Sequence, residues 1–191
     1  MLDRWEVRMA GGLAPKVLCV CTGNICRSVA MKLYLARAWK DDARVSSAGT
    51  YAMEGWEVPE VAVEVMASED LDASAHEPTQ LSVEAVKAAD LVLIAATDHR
   101  AWIAQHLGSV PPNVFLLTEA AALTVFAMRP HPFERSERIR LAASALDSAR
   151  NQLADVHQTN ILDPNGLSYA VHVKAMNQCK AALDTLIAWI G

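Results

Sequence analysis

Residues 16–28 read KVLCVCTGNICRS, and this stretch decides the fold. Lys16 to Cys21 is a short apolar run that meets Gly and Asn at once, after which Ala30, Leu33, Tyr34 and Ala38 fall on one side of a helical pattern. The order is strand, loop, helix. Working outward, Arg44 to Ala48 reads as a second strand ending at Gly49, and Val58 to Leu71 as a helix entered beside Pro59. Asp90 to Ala96 (DLVLIAA) is almost unbroken in its hydrophobicity, the signature of a strand covered on both faces. A helix over His99 to Leu107 leads to a fourth strand at Asn113 to Leu117. Such alternation predicts an open α/β fold in three layers, four parallel strands with helices on both faces. Beyond it the chain turns helical: Ile139, Ala142, Leu146 and Leu153 keep one helical period, and Met176, Cys179, Leu183, Leu186 and Ile190 another. Between them lies NILDPNG, Asn160 to Gly166, a turn-rich loop.

The chain has 191 residues, 52% of them hydrophobic and 20% charged, which suits one compact core rather than two. Residues 16–191 are expected to form that single domain, behind a loose leader at 1–15 that carries acidic residues and lacks a signal-peptide core. A net charge of -5 with scattered Lys and Arg argues against nucleic acid as a partner. The longest apolar runs are far short of the roughly 20 residues that cross a bilayer. The four cysteines, 19, 21, 26 and 179, do not make a secreted disulfide framework, so a reducing cytoplasm is the expected location.

The loop after the first strand carries the chemistry. Ligands of open α/β sheets bind beyond the carboxyl ends of the strands, where Cys21 stands. Gly23 is expected to supply the backbone freedom that lets Thr22 to Arg27 curl, their N–H groups converging on an anion. The helix N-terminus adds partial positive charge, which suits a phosphate dianion. The same groups stabilise a thiolate at Cys21, the nucleophilic form. Arg27 offers a planar fork for two phosphoryl oxygens, and Ser28 a hydroxyl for the sulfur. A zinc reading of Cys19, Cys21 and Cys26 is weak, because no second ligand pair follows.

VLCVCTGNICRS, with its C-x5-R spacing from Cys21 to Arg27, resembles the signature of the low-molecular-weight protein tyrosine phosphatases. The likeness extends to SSAGT at Ser46 to Thr50, AHEPTQLS at Ala75 to Ser82 and ILDPNG late in the chain. It implies a Rossmann-like four-stranded sheet, a metal-independent hydrolase with no cofactor, and a cysteinyl-phosphate intermediate. Cys21 would be the nucleophile, Arg27 the phosphate grip and Asp163 the general acid and base. Thr22, Gly23, Asn24, Ile25, Cys26, Arg27 and Ser28 would bind phosphate, supported by Ser28, Asn24, Ser47 and His76. The substrate implied is a phosphorylated protein, and inorganic phosphate the product. Cys26, in the same loop as Cys21, suggests a reversible disulfide under oxidation.

Departures from the family pattern shape the expected substrate. Val29 stands where Pro is usual. Asn165 and Gly166 stand where tyrosine-directed members carry aromatics, and Met53 stands near a usual aromatic wall. Ile25 replaces the Thr of protein-arginine phosphatases and favours an aryl ester. An extra helical insertion at about 119–160 precedes the acid loop, and its helices are expected either to form a flap over Cys21 or to thicken the core. Two rivals remain. An arsenate reductase on this loop needs a further cysteine pair, whereas only Cys179 lies outside the loop region. A non-catalytic phosphate-binding module would have no need to keep Cys21, Arg27, Ser28 and Asp163 together.

Overall fold

The computed structural model describes residues 13–153 and 159–191. Four strands, β1 (Lys16–Cys21), β2 (Arg44–Gly49), β3 (Leu91–Ile94) and β4 (Val114–Leu116), form one parallel sheet in the order β2-β1-β3-β4. Register places Cys21 beside Gly49, Val20 beside Ile94, and Ile94 beside Leu116, so the strands end near one level. The chain winds from β1 outward to β2 and then back across to β3. Cys21 therefore closes the strand at which the winding reverses, where such sheets open a crevice.

Every residue of β3 and β4 is buried, as is β1 after Lys16. Successive side chains alternate between faces. Val17, Cys19, Leu91, Leu93 and Phe115 join the core on one face, and Leu18, Val20, Val92, Ile94, Val114 and Leu116 join that on the other. The first face carries α1 (Arg27–Trp39), α2 (Glu60–Ala67) and the long α7 (Tyr169–Ile190), with α5 (Leu117–Leu123) and α6 (Arg135–Ser148) beside them. The second carries α3 (Val83–Ala88) and α4 (Thr97–Leu107). The expected helix at 58–71 is shorter because Asp70 turns left-handed, at φ 57, and Leu71 N–H closes onto Met66 O at 3.0 Å.

Among the described residues the insertion does not cover Cys21, and for these the flap expectation is corrected. Ile139, Ala142, Ala143 and Leu146 of α6 are buried in the core. The early part of α6 is fastened at the end of the sheet opposite Cys21. Arg135 donates to Ala38 O at 3.1 Å and pairs with Asp42 at 3.5 Å. Arg140 donates to Leu13 O at 2.6 Å and pairs with Asp90 at 3.6 Å, just before β3. The apolar stripe decides this, since burying those four residues is worth several kcal/mol and a flap would leave them in water. The chain is back at the Cys21 end by Thr159, whose carbonyl accepts from Thr118 Oγ1 at 2.7 Å. Residues 154–158 of the insertion and 1–12 of the leader lie outside the described residues. Pro15 O accepts the Arg44 N–H at 2.8 Å and ties the chain down just ahead of β1.

Candidate active site

The loop between β1 and α1 is shaped by Asn24 more than by Gly23. Asn24 has φ 55, whereas Gly23 is not among the residues at positive φ, so the expected glycine role is corrected. Asparagine tolerates this region because its short polar side chain bonds locally, and here it is fully buried and satisfied. Thr79 N–H donates to Asn24 Oδ1 at 2.8 Å, which fixes the amide's orientation. Nδ2 then donates to Ser28 Oγ at 2.8 Å and to Ser47 Oγ at 3.0 Å. Because Ser28 Oγ accepts from Asn24, its own hydrogen is left for Cys21 Sγ, 2.9 Å away. His76 Nε2 donates to Asn24 O at 2.8 Å, and its Nδ1 accepts from Lys32 Nζ at 3.0 Å. Burial lowers the pKa of His76, in keeping with that neutral ring.

The outer wall of the loop is backbone. The N–H groups of Thr50, Tyr51 and Met53 donate to the carbonyls of Cys21, Thr22 and Gly23 at 2.9, 3.0 and 3.0 Å. This contact requires Gly49, where a Cβ would run into Thr22 O. With those carbonyls turned outward, the loop interior is left to N–H groups. Among the described residues no side chain caps α1, and its first turn holds no acidic residue, so its leading N–H groups suit an anion.

Arg27 and Asp163 meet at the mouth. Arg27 is 5% exposed in its side chain, and its Nη2 donates to Asp163 Oδ2 at 2.5 Å and to Thr22 Oγ1 at 3.2 Å; Asp163 is 52% exposed. The acid loop is tethered on both sides. Ile161 N–H bonds Ala95 O at 2.8 Å, Thr97 N–H bonds Asn160 Oδ1 at 3.0 Å, and Leu162 N–H bonds Gln178 Oε1 at 2.9 Å. Asn165 N–H closes onto Asp163 Oδ1 at 3.2 Å. Buried His172, near the start of α7, holds the Pro164 carbonyl, and burial lowers its pKa.

Burial disfavours the thiolate form at three of the four cysteines. Burial raises the Cys19 thiol far above its usual range, and pushes Cys26 and Cys179 up to about 12 each. All four are free thiols, and the Cys21 sulfur is the one that Ser28 addresses. The geometry gathers Cys21, Arg27, Ser28, Asn24, Ser47, His76 and Asp163 around one loop. Ile25 and Cys26 are buried among core residues behind it, and Gly23 packs on Met53, with 3.3 Å from the place of a Cβ to the Met53 sulfur. Thr22 stands at the exposed lip.

Several residues escaped the sequence reading. Thr79 and Lys32 act only through partners distant in sequence. Tyr51 and Trp56 are strongly exposed on the segment that walls the loop, and they supply aromatics where Met53 does not. His99 sits beneath the mouth, 2% exposed, with Nε2 3.1 Å from Thr22 Oγ1. The only signal for it is its place in TDHR, just past the third strand.

Residues 16–153 match the family model for low molecular weight phosphotyrosine protein phosphatase. The chain is 38% identical over 103 residues to a probable low molecular weight protein-tyrosine-phosphatase, EpsP of Ralstonia solanacearum, covering 54% of this chain and 70% of that one. It is 29% identical over 144 residues to a protein-arginine-phosphatase of Geobacillus stearothermophilus, covering 75% and 97%. Among solved structures, the tyrosine phosphatase amsI of Erwinia amylovora superposes with a TM-score of 0.68 at 21% identity over 93% of this chain and 94% of that chain, a likeness of fold. The family match closes before Asp163.

Proposed function

Because the chain belongs to the low molecular weight phosphotyrosine protein phosphatase family, a family of hydrolases, we propose that it cleaves phosphotyrosine from proteins through a phosphocysteine at Cys21. The observation that carries the reading is the 2.5 Å contact between Arg27 and Asp163, two groups 136 positions apart that meet over the Cys21 loop. A phosphate entering the loop takes the Arg27 fork and frees the Asp163 carboxylate, which takes up the proton that the Cys21 thiol gives up on becoming a thiolate. Cys21 sulfur attacks phosphorus, the S–P bond forms, the P–O bond breaks, and Asp163 gives its proton to the departing phenolic oxygen. Water then attacks phosphorus and gives a proton to Asp163 as the S–P bond breaks, releasing inorganic phosphate. Ser28, oriented by Asn24, donates to the sulfur as it leaves. Loop N–H groups, the start of α1 and Arg27 hold the phosphoryl oxygens throughout.

Tyr51 and Trp56 support an aryl substrate, as exposed aromatic side chains on the segment whose N–H groups bond the loop carbonyls. Ile25, in place of the Thr that marks the protein-arginine phosphatases, points the same way. No helix among the described residues is long and apolar enough to cross a membrane, and the free thiols suit the cytoplasm. The test is hydrolysis of p-nitrophenyl phosphate and of phosphotyrosyl and phosphoarginyl peptides by wild type, Cys21→Ser and Asp163→Ala. The expected order is phosphotyrosine over phosphoarginine, loss of all turnover in Cys21→Ser, and a fall of about 10²-fold or more in Asp163→Ala. Full activity in Cys21→Ser would sink the mechanism, and preference for phosphoarginine would reassign the substrate.

A further inference from the structure

We propose that His99 is a positioning residue that fixes the Thr22 hydroxyl as a hydrogen-bond donor to the phosphate in the Cys21 loop. This rests on the phosphatase reading of that loop. His99 is the third residue of α4, and its Nδ1 accepts the Ala96 N–H at 3.0 Å. An amide can only donate, so Nδ1 carries no proton and the hydrogen of the neutral ring sits on Nε2. Burial first, then the neighbouring Arg27 charge, push the His99 pKa down to about 4, so the ring is neutral in the cell. Nε2 therefore donates across 3.1 Å to Thr22 Oγ1.

That same oxygen also accepts from Arg27 Nη2 at 3.2 Å. A hydroxyl has two lone pairs and one hydrogen. With both lone pairs taken from inside, the hydrogen of Thr22 is turned outward, at the exposed residue directly after Cys21. An incoming phosphate draws Arg27 onto its own oxygens, and His99 remains to keep Thr22 a donor. Closing the start of α4 takes only one ring nitrogen. The second is aimed, from a buried position, at the lip of the loop.

The two nitrogens can be separated by substitution. Asparagine places an acceptor near the Nδ1 position and cannot reach Thr22, whereas glutamine places an N–H donor near the Nε2 position and gives up the Ala96 bond. The expected result is a fall of about tenfold in kcat/KM for p-nitrophenyl phosphate, and in affinity for inorganic phosphate by calorimetry, for His99→Asn, with the melting temperature kept. His99→Gln should retain most activity and melt earlier. Thr22→Val should lose about tenfold by itself, and combining it with His99→Asn should add nothing further. A wild type that hydrolyses p-nitrophenyl phosphate through Cys21 while His99→Asn matches it in both readouts overturns the positioning role alone. Losses that multiply in the double variant, or activity that tracks melting temperature across all variants, overturn it equally. A wild type that neither binds phosphate nor turns over fails the phosphatase reading itself, and this inference with it.

Discussion

Replacing Asn24 by alanine separates the scaffold of the loop from its chemistry. The side chain makes three hydrogen bonds in a fully buried position, to Thr79 N, Ser28 Oγ and Ser47 Oγ. At about 1 kcal/mol each they contribute about 3 kcal/mol. The left-handed backbone at φ 55 adds about 1 kcal/mol of strain once the local polar bonds are gone. About 4 kcal/mol in a domain of this size lowers the melting temperature by about 8–16 °C. Ser47→Ala removes one of the three bonds and should cost about a quarter of that. The kinetic effect differs in kind, because Asn24 is what turns the Ser28 hydrogen toward Cys21 Sγ at 2.9 Å. Asn24→Ala, assayed well below its melting point, should lose about tenfold or more in kcat for p-nitrophenyl phosphate, while Ser47→Ala stays within about twofold. Differential scanning calorimetry and steady-state kinetics on the two variants suffice. An Asn24→Ala protein that melts within about 2 °C of wild type, or keeps its kcat, refutes the account of the loop.

Acid should destabilise the fold through its buried histidines. His99 has a folded pKa of about 4 against about 6.5 unfolded. The unfolded chain therefore takes up the proton first, and stability that is complete above pH 6.5 is lost as pH falls. About 2 kcal/mol of it is gone by pH 5. His76 and His172 are shifted the same way by burial, so urea midpoints should fall from pH 7.5 to 5, less steeply in His99→Gln. A flat midpoint would refute the burial argument. In α6, fully buried Leu146 changed to alanine should cost about 2–5 kcal/mol and leave KM and kcat unaltered at low temperature. A changed KM would restore a role for the insertion at the site.

Strands β1 and β3 were legible because burial on both faces leaves little room for polar residues, and the cores of KVLCVC and DLVLIAA obey that rule without help from context. That Cys21 and Arg27 share one loop was legible for a related reason, since a phosphate loop of the proposed kind needs a thiol and a guanidinium within a few residues. Other features depend on distances that sequence does not carry. His99 is tied to Thr22 across 77 positions, and Thr79 to Asn24 across 55. Glycine is the usual source of backbone freedom in such a loop, whereas here buried bonds to Asn24 make asparagine sufficient at the left-handed position. The flap expectation came from position before Asp163, which says nothing about the end of the sheet at which a helix is fastened. The stripe Ile139, Ala142, Leu146 already indicated core.

The Arg27 and Asp163 contact has one more consequence. In the resting protein a carboxylate belonging to the chain itself occupies the guanidinium at 2.5 Å, so every anion from solution competes with a tethered rival. Chloride and the many singly charged carboxylates of a cell offer the fork nothing better than it already holds, while a phosphate dianion reaches both the fork and the ring of amides. On the proposed phosphatase reading, the internal pair sets an affinity threshold at the mouth of the Cys21 loop. On the same reading, the carboxylate is on hand after turnover to reclaim the arginine, which favours departure of the product.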